Sequence, residues 1–435
     1  MTNLFQMNSL SSNPYKGTRD YYPDDKRVQN YIFESWHKVA KRYGYEEYGA
    51  PVLEPLDIYL AKSGQELAGQ QTYTFTDRGD RQVAIRPEMT PSISRLVAGR
   101  RQELAYPARL YSVANFMRYE RPQKGREREF WQLNVDVFGD DSNYAEIEII
   151  KMAVDIMSEF GANSDTYTIR LNDRRLVDSL MRDYLALDAD KALATTKLLD
   201  RRAKISSEDF AAQAQEIVGS EETLQKLLDL VELKTIDDLP EEIVASQPAQ
   251  DLKSLLETLR SSGTDNIIFD VTLMRGLDYY TGTVFEIFDN NQENNRSLFG
   301  GGRYDGLVEQ FGVEPVSAVG MAPGATVLEE FIKLHDLLPE TKSYTDIYVA
   351  TIGDCYPEAS HLVETLRQEG LNIEFDSTDR KPEQKIKSAS KKQISQVLFV
   401  GQKELESGVF SVKNIGSGQE KQLGIKSIPE YIKVS

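Results

Sequence analysis

A chain of 435 residues is long enough to form two or three domains, each with its own hydrophobic core. Its formal net charge of −18 argues against a general polyanion-binding protein, which normally carries a basic excess. A single cysteine, Cys355, excludes an internal disulfide and a CxxC zinc site. The three histidines lie far apart in sequence, so we expect no metal centre and in particular no zinc.

The N-terminal segment is neither basic nor apolar enough for a signal peptide, and it is expected to be a short disordered leader. No apolar run reaches the roughly 20 residues that span a bilayer. These features predict a cytoplasmic protein without a membrane partner.

The first 172 residues predict a largely antiparallel sheet with flanking helices. Apolar residues recur at helical spacing from Val28 to Tyr43, and Gly44 is typical of a helix end. Strand-like runs follow at 72–75, 83–86, 108–116 and 130–138, and a helix is expected from about 142 to 160. Antiparallel pairing is favoured because the connections between these runs are short and rich in turn residues.

The remaining sequence predicts an insertion and a separate C-terminal domain. Helical patterns rich in leucine, alanine and charged residues indicate an inserted helical domain at 173–262, after which the sheet pattern resumes at 263–338. Residues 339–343 are typical of a linker. Beyond them, strands and helices alternate over 344–435, which favours a small α/β domain.

An arginine-rich segment leads into a strand with one polar face. Period-2 geometry places Trp131, Leu133, Val135 and Val137 on one side, and Phe130, Gln132, Asn134 and Asp136 on the other. The polar face could simply be solvated, or it could be the floor of a polar ligand site. Arginine forks bind phosphates and carboxylates in a bidentate way, so the preceding cluster favours a triphosphate cradle. That cluster comprises Arg118, Arg121, Lys124, Arg126 and Arg128.

Three further segments could carry chemistry. RGLDYYTG (275–282) places an arginine, an acid and two tyrosines in a turn. It could belong to a ligand site, or it could be a tyrosine-rich hairpin with no binding role. GGGRYDG (300–306) lacks the ending of a P-loop, so its glycines are expected to permit close approach to a ligand or a neighbouring strand. In IRPEMT (85–90), Glu88 could bind an ammonium group or lie on the surface.

Taken together and in this order, these segments resemble the histidyl-tRNA synthetases, a class II aminoacyl-tRNA synthetase family. KGTRDYYP (16–23) looks like the family's start, YGYEEYGAPVLE (43–54) like motif 1, and residues 116–139 like motif 2. RGLDYYTGTVFE (275–286) is similar to the histidine-specific signature, and GGGRYDGLVEQFG lies where the family leads into motif 3. The last hundred residues look like its anticodon-binding domain.

The resemblance covers nearly the whole chain and implies an α+β fold. The class II synthetase-like antiparallel sheet would have flanking helices, an inserted helical domain and a small C-terminal α/β domain. Motif 1 implies a homodimer. The implied partners are histidine, tRNA(His) and ATP, with Mg²⁺ accompanying ATP.

The resemblance also implies roles for matching residues. Arg118 would hold the ATP α-phosphate and the substrate carboxylate, and Arg275 would contact the α-phosphate and assist the attack, which makes these two the expected catalytic residues. Glu120 would face the adenine, Phe130 would stack on it, and Arg126 would hold the γ-phosphate. The other histidine-binding residues would hold the α-ammonium (Glu88, Thr90, Gln132) or read and line the imidazole (Tyr280, Asp136, Tyr279).

Two positions depart from the family pattern. Asp136 stands where the family usually has a glutamate, so the charge is kept and the reach shortens by one methylene. Val327 stands where motif 3 normally has an arginine that clamps adenine and the γ-phosphate. Losing one such charge-stabilising group typically costs about 10²–10³ in rate. Arg303 is the candidate replacement among the ATP-binding residues.

The implied function is that of a histidine–tRNA ligase, which forms histidyl-adenylate and transfers the histidyl group to the 3′ end of tRNA. The alternative is a non-catalytic paralogue that acts as a histidine-sensing regulatory or RNA-binding protein. Regulatory relatives typically lack the anticodon-binding domain and a full RGLDYY signature, both of which this chain keeps. A synthetase for another amino acid conflicts with the tyrosine signature.

Overall fold

The computed structural model describes residues 10–60, 67–274, 279–294 and 296–434. The chain forms two compact units whose boundary lies between Leu338 and Pro339, at the start of the predicted linker. Within the described ranges, no helix combines the length and the apolar character that crossing a membrane requires.

The first unit begins with helices and strands that follow the predicted order. Helix α1 carries Asp24 and Asp25 in its first turn and Lys41 and Arg42 in its last, which complements the helix dipole. The elements of this part are α1 (Pro23–Arg42), β1 (Glu46–Glu47), β2 (Leu53–Pro55), α2 (Asp57–Leu60), β3 (Tyr73–Thr76), β4 (Gln82–Ile85), α3 (Thr90–Gly99), β5 (Ala108–Met117), β6 (Glu129–Phe138), α4 (Tyr144–Glu159) and β7 (Tyr167–Asp173).

A run of helices separates β7 from the next strand, as the helical patterns predict. These helices are α5 (Arg174–Ser179), α6 (Ala189–Asp200), α7 (Ser207–Val218), α8 (Glu221–Val231), α9 (Glu241–Val244) and α10 (Gln247–Ser261). Phe210, Leu227 and Leu252 of this run belong to the same continuous hydrophobic core as Ile149 of α4 and Ile169 of β7. The inserted helices are therefore packed as an extension of the main core.

The sheet is completed after the insertion. Its remaining strands and the helix that follows them are β8 (Ile267–Phe269), β9 (Thr283–Asp289), β10 (Ser297–Arg303), β11 (Ala318–Met321) and α11 (Ala325–Leu334). The eight strands lie in the order β1-β5-β6-β11-β10-β9-β7-β8. Pairing is antiparallel from β5 to β7, and only the two edge pairs, β1 with β5 and β7 with β8, are parallel. The predicted α+β class and antiparallel sheet are confirmed.

A small antiparallel sheet in the order β2-β4-β3 accompanies the main one. Leu53 and Phe75 of this sheet, and Val52 just before β2, are apolar side chains that are about half exposed.

The second unit is a five-stranded sheet with helices on both faces. Its elements are β12 (Ile347–Ile352), α12 (Tyr356–Gln368), β13 (Ile373–Asp376), α13 (Pro382–Lys391), β14 (Gln396–Gly401), α14 (Gln402–Ser407), β15 (Val409–Asn414), β16 (Glu420–Gly424) and α15 (Ile428–Val434). Strands β13, β12 and β14 are parallel, and β15 and β16 continue the sheet antiparallel. Separate apolar clusters cover its two faces, which explains the uninterrupted apolar runs in β12 and β14.

Candidate active site

Strand β6 separates the main core from a polar floor. Leu133, Val135 and Val137 lie in the core with α4, as their alternation predicts. Asn134 and Asp136 lie on the opposite face and are nevertheless only 4% and 5% exposed. The polar face is thus enclosed by other parts of the fold, and the solvated alternative is excluded for these two residues.

The carboxyl group of Asp136 is held by a tyrosine. Its Oδ1 accepts a hydrogen bond from the hydroxyl of Tyr304, which follows β10. Burial raises the pKa of Asp136 to about 7, and the bond from Tyr304 opposes that rise. Burial also raises the pKa of Tyr304 well above its ordinary value, so its hydroxyl keeps its proton and donates. Asp136 can therefore change its ionisation state near neutral pH.

Two glycines make room for this arrangement. Gly320 of β11 lies opposite Asp136, and a Cβ at that position would be 2.1 Å from Oδ1 of the carboxylate. Gly302 of β10 pairs with Gly320, and its Cβ would be 2.9 Å from the ring of Tyr280. Side chains at either position would fill the space above the sheet, so the glycines of GGGRYDG permit the close approach that the sequence predicts.

A second group of predicted residues meets around Tyr279. Its hydroxyl lies 3.1 Å from Oε2 of the buried Glu88, to which it donates, and 3.3 Å from Oγ1 of Thr90. The ring of Tyr279 also packs against those of Tyr280 and Tyr304, with centroid distances of 5.0 and 5.8 Å. The tyrosines therefore connect the Glu88 group with the Asp136 group in one buried polar cluster.

Arg118 and Phe130 form a third group beside Glu88. The Nε of Arg118 donates to the carbonyl of Pro87 at 2.9 Å, and its guanidinium lies 5.2 Å from the centroid of the Phe130 ring. The ring of Phe130 packs in turn on Phe116 of β5. This places a fixed cation and an aromatic face at the end of the polar floor.

Gln132 lies between Phe130 and Asp136 on β6. Its backbone bridges to Gly324 at the start of α11, and the neighbouring Leu133 donates its backbone N–H to the carbonyl of Pro323. Through these contacts the segment before α11 is attached to the floor strand.

Glu120 and Arg126 pair with each other across the loop between β5 and β6. The Nε of Arg126 lies 2.9 Å from Oε2 of Glu120, and the side chain of Arg126 remains about half exposed. Because Arg126 is half in solvent, the pair contributes at most about 1 kcal/mol, and the arginine can turn to a ligand at little cost.

Arg128 fixes this loop to the N-terminal segment. Its backbone N–H donates to Gly17, and its guanidinium donates to the Glu120 carbonyl and the Tyr15 hydroxyl. The guanidinium also lies 4.1 Å from the centroid of the Tyr119 ring. Arg128 is buried by these contacts, so within the arginine cluster it positions the loop.

Arg303 does not lie where its predicted role requires. It is on the opposite face of the sheet from Gly302 and Tyr304, where its guanidinium binds both carboxylate oxygens of Glu146 on α4 at 2.6 and 2.7 Å. The backbone carbonyls of Asp140 and Ser142 accept further bonds from it. The structure therefore corrects the proposal that Arg303 replaces the motif 3 arginine, because strand alternation turns it away from the polar floor.

Two other residues that the sequence analysis singled out are Arg275 and Val327. Arg275 lies outside the described residues. Val327, on α11, lines a cavity of about 220 Å³ beside Gly125 of the β5–β6 loop. The other residues around this cavity are Lys124, Glu293, Asn294, Arg296, Glu330 and Leu334.

Sequence reasoning did not assign roles to Tyr304, Gly320 or Arg128. Tyr304 stands in the quoted GGGRYDG segment two residues after Gly302, so alternation alone would place it on the same face as Gly302. Gly320 gives no local signal, because its role depends on the pairing of β11 with β6.

Comparison with known proteins identifies relatives along the whole chain. The family model described as histidyl-tRNA synthetase matches residues 17–326, and the one described as anticodon binding domain matches residues 346–435. A histidine–tRNA ligase from Leptospira biflexa is 38% identical over 432 residues, which cover 98% of each chain. One from Haloarcula marismortui is 35% identical over 421 residues, which cover 95% of this chain and 96% of that protein.

The fold has a close counterpart among solved structures. The histidyl-tRNA synthetase from Nostoc sp. PCC 7120 superposes with a TM-score of 0.82, at 22% identity, over 98% of this chain and all of that one. At this identity the likeness concerns the fold. Together with the two relatives and the family model, it shows that this chain belongs to the histidyl-tRNA synthetase family.

Proposed function

We propose that this chain is a histidine–tRNA ligase, which activates histidine with MgATP and transfers the histidyl group to the 3′ end of tRNA(His). One structural observation supports the proposal in addition to family membership. The groups around Tyr279 and Asp136 form an enclosed polar site, and the site adjoins the pair of Arg118 and Phe130. Such a site offers separate places for a small polar amino acid and a nucleotide.

The α-ammonium of histidine binds at Glu88, Thr90 and Gln132. A buried carboxylate is a strong partner for a cation, and the Tyr279 hydroxyl already orients one oxygen of Glu88. Thr90 lies within hydrogen-bond distance of the same hydroxyl, so the two acceptors face one region.

The imidazole is read by Asp136 and Tyr280, with Tyr279 lining the pocket. Ionised Asp136 accepts the ring N–H, while its other oxygen keeps the bond from Tyr304. The Tyr280 ring lies over Gly302 and closes the pocket from the side of β10.

ATP binds at the arginine-bearing end of the floor. Phe130 stacks on the adenine and Glu120 faces it, while Arg126 leaves Glu120 to hold the γ-phosphate. Arg118 holds the α-phosphate together with the histidine carboxylate, and Arg275 contacts the same phosphate. These residues put the carboxylate in line with the α-phosphorus and stabilise the charge that develops during attack. Histidyl-adenylate forms, and pyrophosphate leaves.

The tRNA is recognised through the C-terminal unit, whose residues 346–435 match the anticodon-binding model. The active form is a homodimer. Leu53 of β2 and the preceding Val52 are nearly half exposed in the single chain. Burial in a dimer would remove this apolar surface from water. Leu53→Lys should produce monomers in analytical ultracentrifugation, whereas an unchanged sedimentation coefficient would exclude this surface.

A pyrophosphate exchange assay tests the proposal. Purified chain, ATP and labelled pyrophosphate should give exchange with histidine and not with the other amino acids, and tRNA(His) should then be charged. Absence of exchange in a folded protein that still binds histidine in calorimetry would favour the regulatory alternative. Absence of both would reject the histidine site.

A further inference from the structure

The side-chain amide of Asn134 is a buried hydrogen-bond donor that lacks an acceptor within the described part of the chain. Asn134 is 4% exposed, and its Nδ2 has no hydrogen-bond partner among the described residues. Ser112 lies directly opposite on β5, but no hydrogen bond joins its hydroxyl to the amide of Asn134 within the described part of the chain. Strand β5 therefore does not supply a hydrogen-bond acceptor for the amide N–H of Asn134.

The position of Asn134 connects it with the proposed histidine site. Asn134 shares one face of β6 with Gln132 and Asp136, and each lies two residues away, about 6–7 Å along the strand. Gln132 and Asp136 are the floor residues proposed for the two ends of histidine. A ligand that reaches both must pass over Asn134.

Buried donors without a partner are rare in folded proteins, and a ligand is one explanation for them. The chemistry of the imidazole supplies the missing acceptor. A neutral imidazole has one N–H donor and one acceptor nitrogen. Ionised Asp136 can only accept, so it takes the N–H. The Tyr280 hydroxyl can donate or accept and does not by itself decide which nitrogen carries the proton, whereas an amide N–H can only donate.

We propose that Asn134 is a further histidine-binding residue, whose side-chain N–H donates to the acceptor nitrogen of the substrate imidazole. This inference rests on the proposed function. Asn134 and Asp136 then form a donor–acceptor pair that fixes the tautomer of the bound ring. An apolar ring of similar shape would leave the Asn134 amide and the second oxygen of Asp136 buried without partners, so the pair makes the site selective for imidazole.

Calorimetry with histidine and no ATP tests the contact directly. Asn134→Leu removes the amide and keeps the number and branching of the side-chain heavy atoms, and the Kd of histidine should rise roughly ten- to hundredfold. Ser112→Ala, a change on the same face, should leave the Kd unaltered. If Asn134→Leu does not fold, as judged by its melting temperature, Asn134→Ala takes its place.

An analogue separates ligand recognition from a structural role. In the two pyrrolylalanine isomers one ring nitrogen of histidine is replaced by C–H and the other carries the proton, so neither ring has an acceptor nitrogen. One isomer keeps the N–H that Asp136 would accept and has a C–H where Asn134 would donate. The wild type should bind histidine at least tenfold more tightly than that isomer, and the Asn134 variant should lose this preference. An equal loss of affinity for both ligands, or no loss for histidine, would overturn the inference. Failure of the wild-type chain to bind histidine at all would instead reject the proposed function.

Discussion

The hydroxyl of Tyr304 reaches the carboxylate of Asp136 across an intervening strand. Tyr304 follows β10 and Asp136 lies on β6, and between these strands runs β11, whose Gly320 offers no side chain at the crossing. The contact therefore depends on three strands that are distant in sequence. It places a buried acid of raised pKa and the hydroxyl that stabilises its ionised form in the proposed imidazole pocket.

Tyr304→Phe should move the acidic limb of the histidine pH profile upward. The hydroxyl lowers the pKa of Asp136 from the value that burial alone would impose, so its removal raises that pKa further above 7. A hydrogen bond to a charged group contributes about 1.5–3 kcal/mol, which corresponds to roughly one pH unit or more. The measurement is kcat/KM for histidine in pyrophosphate exchange from pH 5.5 to 9. Titration of the substrate is common to both enzymes, so coincident profiles would contradict the assignment.

Gly320→Ala should abolish histidine activation while Gly324→Ala should not. A Cβ at Gly320 would lie 2.1 Å from Asp136 and 2.7 Å from the carbonyl of Val135, so the strands must separate. A Cβ at Gly324, four residues along the chain, meets nothing within 4 Å. We expect at least a hundredfold loss of exchange activity in the first variant and less than a threefold loss in the second. Similar activity in both would show that the close packing at Gly320 is not required.

Asp136→Asn should change how the stability of the ligand-free protein depends on pH. The folded-state pKa is raised from the ordinary 3.8 to about 7, so the folded form binds the proton more tightly than the unfolded form. The resulting stabilisation is complete below about pH 4 and is lost as the pH rises to 7. The loss amounts to roughly 4 kcal/mol.

The difference in free energy of unfolding between the variant and the wild type should therefore shift in favour of the variant between pH 5 and pH 8. Urea denaturation at several pH values gives this difference and removes the contributions of all other groups. A difference that does not vary with pH would show that Asp136 ionises at its ordinary pKa.

The features that local periodicity specifies were predictable from the sequence. The alternation in β6 separates Val135 from Asp136, and the 3.6-residue pattern marks the inserted helices that share the core of the sheet. Contacts that depend on strand order were not predictable. Arg303 was assigned to ATP because its residue type suits phosphate, but register turns it to Glu146, while Tyr304 beside it points into the site. No local pattern encodes that β11 lies between β6 and β10.

Arg303→Met should destabilise the protein without a specific effect on ATP. The substitution leaves Glu146, whose side chain is 3% exposed, buried without its bidentate partner. Breaking one side of a buried ion pair costs about 3–5 kcal/mol. Thermal unfolding should show this loss, and the double variant Arg303→Met, Glu146→Met should recover most of it. An increase in the KM for ATP at unchanged stability would restore Arg303 to the nucleotide site.

Val327→Arg should accelerate the activation step. The resemblance to motif 3 implies an arginine at this position of α11, and here the cavity of about 220 Å³ beside Val327 provides space for the longer side chain. Gly125 of the β5–β6 loop borders the same cavity, so the new guanidinium would lie near the residues proposed to hold the γ-phosphate. One preorganised charge-stabilising group contributes about 10²–10³ in rate, and a gain of at least tenfold in kcat for exchange is expected. Leu334→Arg adds the same charge to the same cavity two turns further along α11 and should give no gain, so equal rates in the two variants would exclude a specific role for this position.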